Sequence, residues 1–172
     1  MNSSPDEEFD GFMRGRWPAM VRLAYGLTGD AGHAEDLAQT AFARAYASWG
    51  RVKRAGDPDA YVRKIVINEH RNLFRKRRVT EELRADLHDA AAGSSHPEPE
   101  NAHVLLAALG QLAPRQRAVV VLRYWLDLSE METAATLGCS VGTVKSQASR
   151  ALATLRTITS VQSRDIVEGG IR

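Results

Sequence analysis

The sequence is poor in cysteine, since Cys139 is the single one among 172 residues. One thiol excludes a disulfide scaffold, a cysteine-based zinc finger and a cysteine-ligated iron–sulfur cluster, and it fits a reducing compartment. No apolar run approaches the roughly 20 residues that are needed to cross a bilayer. The N-terminal segment MNSSPDEEFD is acidic, whereas a signal peptide is basic and then apolar. The sequence therefore predicts a soluble, cytoplasmic protein without a membrane span or a structural metal.

Signatures of catalysis are missing as well. The chain has no glycine-rich phosphate loop, nucleophile elbow or zinc signature. The histidines have no metal-ligand spacing and share no helical face with a pair of carboxylates; they are His33, His70, His88, His96 and His103. We therefore expect a protein that is not an enzyme and that uses no cofactor or metal. Cys139 is expected to be a small packed side chain rather than a redox switch.

The net charge is only +2, but it is unevenly distributed along the chain. Residues 51–78 hold ten basic and three acidic side chains, whereas residues 79–100 hold one basic and six acidic ones. A basic block is expected of a protein that binds a phosphate backbone, because lysine and arginine displace condensed counterions. The alternative is a solvated helix face. The density of Arg71 and residues 75–78 (RKRR) favours nucleic acid.

Apolar residues recur at three- and four-residue spacing and alternation with a period of two is almost absent, which predicts an all-α fold. We predict a helix from Phe9 to Leu27 that is broken near Pro18, a second helix capped by Asp30, and a third that begins at Pro58. One face of the third helix is predicted to hold Tyr61, Val62, Ile65, Val66, Glu69 and Leu73. The stretch DAAAGSSHPEPEN (residues 89–101) lacks periodicity and predicts a flexible linker between two helical domains.

The sharpest local signal follows this linker. Ser129 and Glu132 have capping-box spacing at a helix start, and Gly138 can adopt the left-handed conformation that ends the helix. Ser140 then caps a further helix whose outward positions include no acid: Thr143, Lys145, Ser146, Gln147, Ser149 and Arg150. Two helices joined by a short glycine turn are typical of a helix-turn-helix, and such a polar face suits the major groove of DNA. The alternative is a generic helical hairpin.

The second unit resembles region 4 of bacterial sigma-70-type sigma factors, through LAPRQRAVVVLRY (residues 112–124) and LSEMETAATLGCSVGTVKSQASRALATLR (128–156). The first unit resembles region 2, through AEDLAQTAFARAYASW (34–49) and DAYVRKIVINEHRNLFRKRR (59–78). The two units in this order are similar to the extracytoplasmic-function (ECF) subfamily and its SigE-like group. The resemblance implies a sigma factor that binds core RNA polymerase and directs promoter recognition and transcription initiation.

The resemblance also implies domains and partners. It divides the chain into a region 2-like domain (residues 1–79), an acidic linker (80–100), a region 4-like helix-turn-helix domain (101–160) and a tail (161–172). The implied partners are promoter DNA and core RNA polymerase, through its β′ clamp helices and β flap; binding of an anti-sigma protein is left open. The implied polymerase-binding residues are Asp36, Leu37, Gln39 and Phe42. For Leu37 and Phe42, plain core packing is the alternative.

DNA contacts follow from the same resemblance. Recognition and opening of the −10 element is implied for Arg54, Asp59, Tyr61, Lys64, Asn68 and Arg71, with Arg75, Lys76 and Arg78 on duplex phosphates. Recognition of the −35 element is implied for Ser146, Gln147, Ser149 and Arg150, with Arg117, Thr143 and Lys145 as phosphate contacts. A stand-alone helix-turn-helix regulator is the alternative, although it leaves the first basic helix without a purpose. A protein-binding helical bundle is a further alternative.

Overall fold

The structure is a computed structural model that describes residues 4–83 and 100–169, with side chains described for residues 4–80 and 103–158. Every regular element in these ranges is helical, and they contain no strand. The helices form two compact units, one before and one after residues 84–99. The predicted all-α fold with two helical domains is confirmed.

The first unit consists of α1 (Pro5–Thr28), α2 (Ala31–Ala47), α3 (Trp49–Arg54) and α4 (Pro58–Leu83). Helices α1, α2 and α4 pack against one another. Their buried apolar side chains recur at helical spacing and include Met20, Leu23 and Leu27 of α1, Leu37, Ala41 and Phe42 of α2, and Val62, Val66 and Ile67 of α4. The predicted cap of α2 is confirmed, because Oδ1 of Asp30 accepts a hydrogen bond from the amide of His33 at 2.8 Å.

Helix α1 starts earlier than predicted and is not broken at Pro18. The earlier start comes from a capping box, in which the amide of Glu7 donates to Oγ of Ser4 at 3.2 Å and the amide of Ser4 donates to Oε2 of Glu7 at 2.9 Å. A proline inside a helix costs about 3 kcal/mol. Tertiary packing offsets this cost, since the adjacent Trp17 stacks on Phe42 of α2 with ring centroids 5.8 Å apart.

Helix α2 ends at Ala47, two residues before Trp49. Ser48 leaves the helical conformation and its amide donates to the carbonyl of Ala45 at 3.1 Å. Trp49 therefore begins α3, where its ring lies 5.1 Å from those of both Phe9 and Phe12. Residues 51–54 complete this short helix.

The buried face of α4 is rotated from the predicted one. Val62 and Val66 are buried as expected, but Arg63 and Ile67 are buried too, and Leu73 is half exposed. Two neighbours, α1 and α2, determine which face is covered. From residue 73 to residue 80 every side chain is exposed, so neither neighbour buries this part of α4, although Nη2 of Arg77 lies 3.2 Å from Nε2 of His33 on α2.

The second unit consists of α5 (Glu100–Gly110), α6 (Pro114–Val120), which continues as a π-helical stretch (Val121–Trp125), α7 (Glu130–Leu137) and α8 (Val141–Gly169). The capping box of α7 is confirmed: the amide of Ser129 donates to Oε2 of Glu132 at 2.8 Å, and the amide of Glu132 donates to Oγ of Ser129 at 3.1 Å. Gly138 has φ 66° and ends α7 as predicted. The crossing of α7 and α8 buries the small core Val119, Ala134, Val144 and Ala148, against which Cys139 packs.

Two predicted boundaries differ from the structure. Helix α4 continues to Leu83, inside the segment predicted as linker (80–100), and α8 continues to Gly169, inside the predicted tail (161–172). Neither end has a proline or glycine to stop the helix at the predicted boundary. The rest of the predicted linker, residues 84–99, lies outside the described residues.

Candidate nucleic-acid interface

A polar stripe runs along the exposed side of α4. Its members follow one another at spacings of four, three, four and three residues, and all of them are exposed: Lys64, Asn68, Arg71, Arg75 and Arg78. This spacing places them on one helical face. We call this set the α4 stripe. Lys76 is exposed as well but lies off the stripe. The predicted −10 residues of α4 are therefore largely brought together, on a cationic surface without an acid among them.

A groove opens beside the α4 stripe, between the end of α2 and α4. It has a volume of about 400 Å³ and is lined by Arg44, Ala47, Ser48, Tyr61, Ile65, Asn68 and Glu69. We call it the α2–α4 groove. Two predicted −10 residues, Tyr61 and Asn68, line it. Sequence reasoning missed Arg44 and Glu69, whose side chains form an ion pair at 2.7 Å across the two helices. No sequence pattern predicts an ion pair between residues that are 25 positions apart.

Asp59 differs from the other predicted −10 residues. Its carboxylate pairs with Arg63 on the next turn of α4 and lies 3.6 Å from Nε of Arg16 on α1. The side chain of Arg63 is only 9% exposed, so Asp59 compensates a buried cation. Asp59 therefore ties α4 to α1, and its contact with the −10 element stays a prediction.

Arg54 lies at the end of α3, beside a second groove. This groove has a volume of about 530 Å³, and its lining includes Tyr46, Trp49, Arg51, Lys53 and Arg54. Lys53 pairs with Glu8 of α1, while Arg51 and Arg54 are exposed. The two grooves share Ala47 and Ser48, but the cations of α3 line only the second one.

The predicted polymerase-binding residues of α2 fall on two different faces. Asp36 and Gln39 are exposed, whereas Leu37 and Phe42 are each only 2% exposed. Phe42 contacts the rings of Phe9, Phe12 and Trp17. Leu37 and Phe42 therefore belong to the core of the first unit, and the expectation that their side chains form a docking surface is corrected.

The exposed face of α8 begins at its cap. Oγ of Ser140 accepts a hydrogen bond from the amide of Thr143 at 3.1 Å and lies 2.9 Å from the Thr143 hydroxyl, so Thr143 is part of the cap. The following candidates Lys145, Ser146, Ser149 and Arg150 are exposed and Gln147 is half-buried. Nζ of Lys145 lies 3.6 Å from Oε2 of Glu130 on α7. The first two turns of α8 thus present amide, hydroxyl and cationic groups, which are the groups that read base edges and phosphates.

Arg117 lies on α6, away from α8 in sequence, and is half-buried. Burial lowers the pKa of its guanidinium from the ordinary value, although arginine stays charged in proteins. The structure thus keeps a charged group at this predicted phosphate contact.

Sequence comparison adds independent information about both units. The family description "Sigma-70 region 2" matches residues 16–80, and "Sigma-70, region 4" matches residues 102–155. The chain is 42% identical over 159 residues to an RNA polymerase sigma-E factor of Streptomyces avermitilis, covering 92% of this chain and 88% of the relative. The chain belongs to the sigma-70 family.

Further relatives agree with this assignment. An RNA polymerase sigma-E factor of Streptomyces coelicolor is 41% identical over 149 residues, covering 87% of this chain and 84% of the relative. Among solved structures, the sigma factor RpoE in complex with the anti-sigma factor NepR from Bartonella quintana matches with a TM-score of 0.74 and 26% identity, over 90% of this chain and 98% of that one. An ECF RNA polymerase sigma factor EcfG of Rhodopseudomonas palustris is 32% identical over 152 residues, covering 86% of this chain and 83% of the relative, so the predicted membership of the ECF subfamily is confirmed.

Membership of this family establishes the general role. The chain is a sigma factor, which binds core RNA polymerase and directs promoter recognition and transcription initiation. The alternative of a stand-alone helix-turn-helix regulator does not account for the region 2 match. Within the described ranges, no helix is long and apolar enough to span a membrane.

Proposed function

We propose that the two units divide promoter recognition between them: the first reads and opens the −10 element, and the second reads the −35 element. One observation carries this proposal: the same chain presents two different exposed surfaces. One is the cationic α4 stripe, and the other is the face of α8 that follows the glycine turn and holds no acid. The two surfaces differ in chemistry. A groove beside a cationic stripe suits unpaired bases, and a single polar helix suits the major groove.

At the −10 element, Lys64 and Arg71 of the α4 stripe would hold the phosphates of the non-template strand. The α2–α4 groove would take a base that has left the stack, against the ring of Tyr61 and the amide of Asn68. Arg75, Lys76 and Arg78 would contact duplex phosphates, which position the protein without specifying sequence. Arg54 would act from α3, and Asp59 would hold α4 in place through Arg63 and Arg16.

At the −35 element, α8 would enter the major groove with Ser146, Gln147, Ser149 and Arg150 facing the bases. Thr143, Lys145 and Arg117 would contact phosphates on either side. Glutamine pairs with adenine and arginine with guanine through two hydrogen bonds each. Lys145 would exchange Glu130 for a phosphate, because an exposed ion pair contributes little in water.

Protein partners would use other surfaces. Asp36 and Gln39 on the exposed side of α2 would contact the β′ clamp helices of core RNA polymerase, and the second unit would contact the β flap. An anti-sigma protein would cover apolar side chains that are about half exposed: Leu73 and Phe74 of α4, and Val104 and Leu105 of α5. The solved relative bound to an anti-sigma factor supports this part of the proposal. The chain would act in the cytoplasm through binding alone, without catalysis of its own.

Promoter selection by reconstituted holoenzyme tests the proposal. Core RNA polymerase from Streptomyces coelicolor is mixed with the full chain and a pool of linear templates randomised over the −35 and −10 elements. Heparin-resistant complexes are then sequenced. We expect enrichment of two separated sequence blocks, only when polymerase is present. Enrichment of a single block with polymerase present would refute the division of promoter recognition between the two units.

A further inference from the structure

Glu69 is an unexpected residue on a surface that binds a polyanion. Residues 51–78 contain only three acidic side chains. Asp57 caps α4, since its Oδ1 accepts the amide of Ala60 at 2.9 Å, and Asp59 compensates buried Arg63. Glu69 has neither role and instead lines the α2–α4 groove.

The geometry points to a reading role for this carboxylate. We propose that Glu69 is a specificity-determining residue of the sigma factor, whose carboxylate accepts a hydrogen bond from the exocyclic amino group of one unpaired base in the −10 element. The proposal rests on the proposed function, because it assumes that a base of the non-template strand enters the α2–α4 groove.

The carboxylate is held in place before any base arrives. The side chain of Glu69 is only 12% exposed, and its Oε1 lies 2.7 Å from Nη1 of Arg44, whose side chain is 60% exposed. An ionised carboxylate has about four acceptor positions on its two oxygens, so one ion pair leaves acceptor capacity toward the groove. Arg44 also offsets the negative charge, which lowers the cost of bringing a nucleotide close.

The other groove residues suit a flat base. The ring of Tyr61 and the side chain of Ile65 supply apolar surface, while Ser48 and Asn68 supply polar groups. A volume of about 400 Å³ falls in the usual range for a small-molecule site. A carboxylate in such a groove repels phosphate and attracts N–H donors, so it selects base edges rather than the backbone.

The chemistry of the four bases gives the direction of selection. Adenine, cytosine and guanine each carry an exocyclic amino group, whereas thymine carries only carbonyl oxygens and a methyl group outside its ring. A carboxylate accepts a hydrogen bond from an amino group but repels a carbonyl oxygen. We therefore expect Glu69 to disfavour thymine relative to the other three bases by about tenfold at one position, from the usual worth of a base-edge contact.

The experiment is the sequencing of heparin-resistant complexes formed by holoenzyme on the randomised templates. Wild-type holoenzyme should show one −10 position at which adenine, cytosine and guanine each exceed thymine about tenfold. In E69Q, an amide of the same shape replaces the carboxylate, and that ratio should fall to within about twofold at this position alone. The matched control is D10N, which removes another ion-paired carboxylate of the first unit, 2.8 Å from Arg14 and outside the groove; it should keep the wild-type profile.

Several results would overturn the proposal. An unchanged base profile in E69Q would mean that Glu69 only ties α2 to α4, and an equal loss of preference at every −10 position would mean that the substitution damages the unit as a whole. Thermal unfolding of E69Q checks that the unit folds. If it does not, E69D keeps the charge but shortens the side chain by one methylene, and the same ratio should fall. A wild-type profile without any −10 preference would refute the proposed function itself, which separates the two failures.

Discussion

The clearest test of the fold concerns Leu37 and Gln39, two residues on opposite sides of α2. Leu37 is only 2% exposed, whereas Gln39 is exposed. Truncating a buried leucine to alanine costs about 2–5 kcal/mol, because apolar contacts are lost and a cavity remains. Truncating an exposed glutamine changes stability by less than about 0.5 kcal/mol. L37A should therefore destabilise the first unit strongly, and Q39A should not.

The size of this effect can be stated as a melting temperature. For a unit of this size, 1 kcal/mol shifts the midpoint of unfolding by roughly 4–8 °C, so a loss of about 3 kcal/mol in L37A corresponds to a fall of roughly 12–24 °C. The measurement uses the full chain carrying W125F, in which Trp17 and Trp49 report on the first unit alone. Fluorescence is followed during heating for wild type, L37A and Q39A in this background.

Polymerase binding supplies the second half of the test. At a temperature where both variants are folded, Q39A should bind core polymerase more weakly, because an exposed contact is removed, while L37A should bind as wild type does. The reasoning would be refuted if L37A melted within about 2 °C of wild type and lost polymerase binding, since Leu37 would then be a docking side chain.

Three further predictions concern other parts of the chain. G138A places a Cβ on a residue with φ 66°, which costs about 1–2 kcal/mol; the melting temperature of the second unit, followed by circular dichroism, should fall, and an unchanged value would contradict the assigned turn. K145Q should weaken holoenzyme binding to all promoters alike and reduce the slope of log affinity against log salt by about one, whereas a change confined to certain sequences would make Lys145 a base reader. In the wild type, the Asp6 carboxylate accepts a hydrogen bond from the Tyr46 hydroxyl at 2.8 Å, and this raises the pKa of Tyr46. D6N removes that carboxylate. The pKa of Tyr46 should therefore fall in a spectrophotometric titration, and an unchanged titration curve would exclude this hydrogen bond in solution.

Local signals in the sequence were sufficient where a short segment satisfies its own hydrogen bonds. The cap of α2 at Asp30, the capping box of Ser129 and Glu132 and the glycine turn at Gly138 are all found where the sequence predicted them. A capping box depends only on residues three positions apart. The capping box of Ser4 and Glu7 has the same spacing, so the sequence was sufficient to predict the start of α1 at this point as well, although we predicted a later start.

Local signals led to wrong predictions where packing against another helix determines the position of a side chain. Leu37 and Phe42 match family positions associated with polymerase binding, yet α1 covers Phe42 with three aromatic rings. Pro18 predicted a break that packing of Trp17 overrides. In each case the outcome depends on which neighbour is present, and this neighbour is distant in sequence.

The helical character of the chain, its two units, the turn before α8 and the family to which it belongs could all be read from the sequence. These properties follow from spacing and composition, which act over a few residues. The burial of Arg63 beside Asp59 could not, nor could the pairing of Arg44 with Glu69 in a groove with Tyr61 and Asn68. Burial and pairing of charges depend on how α2 and α4 are packed, and the sequence of neither helix contains this information.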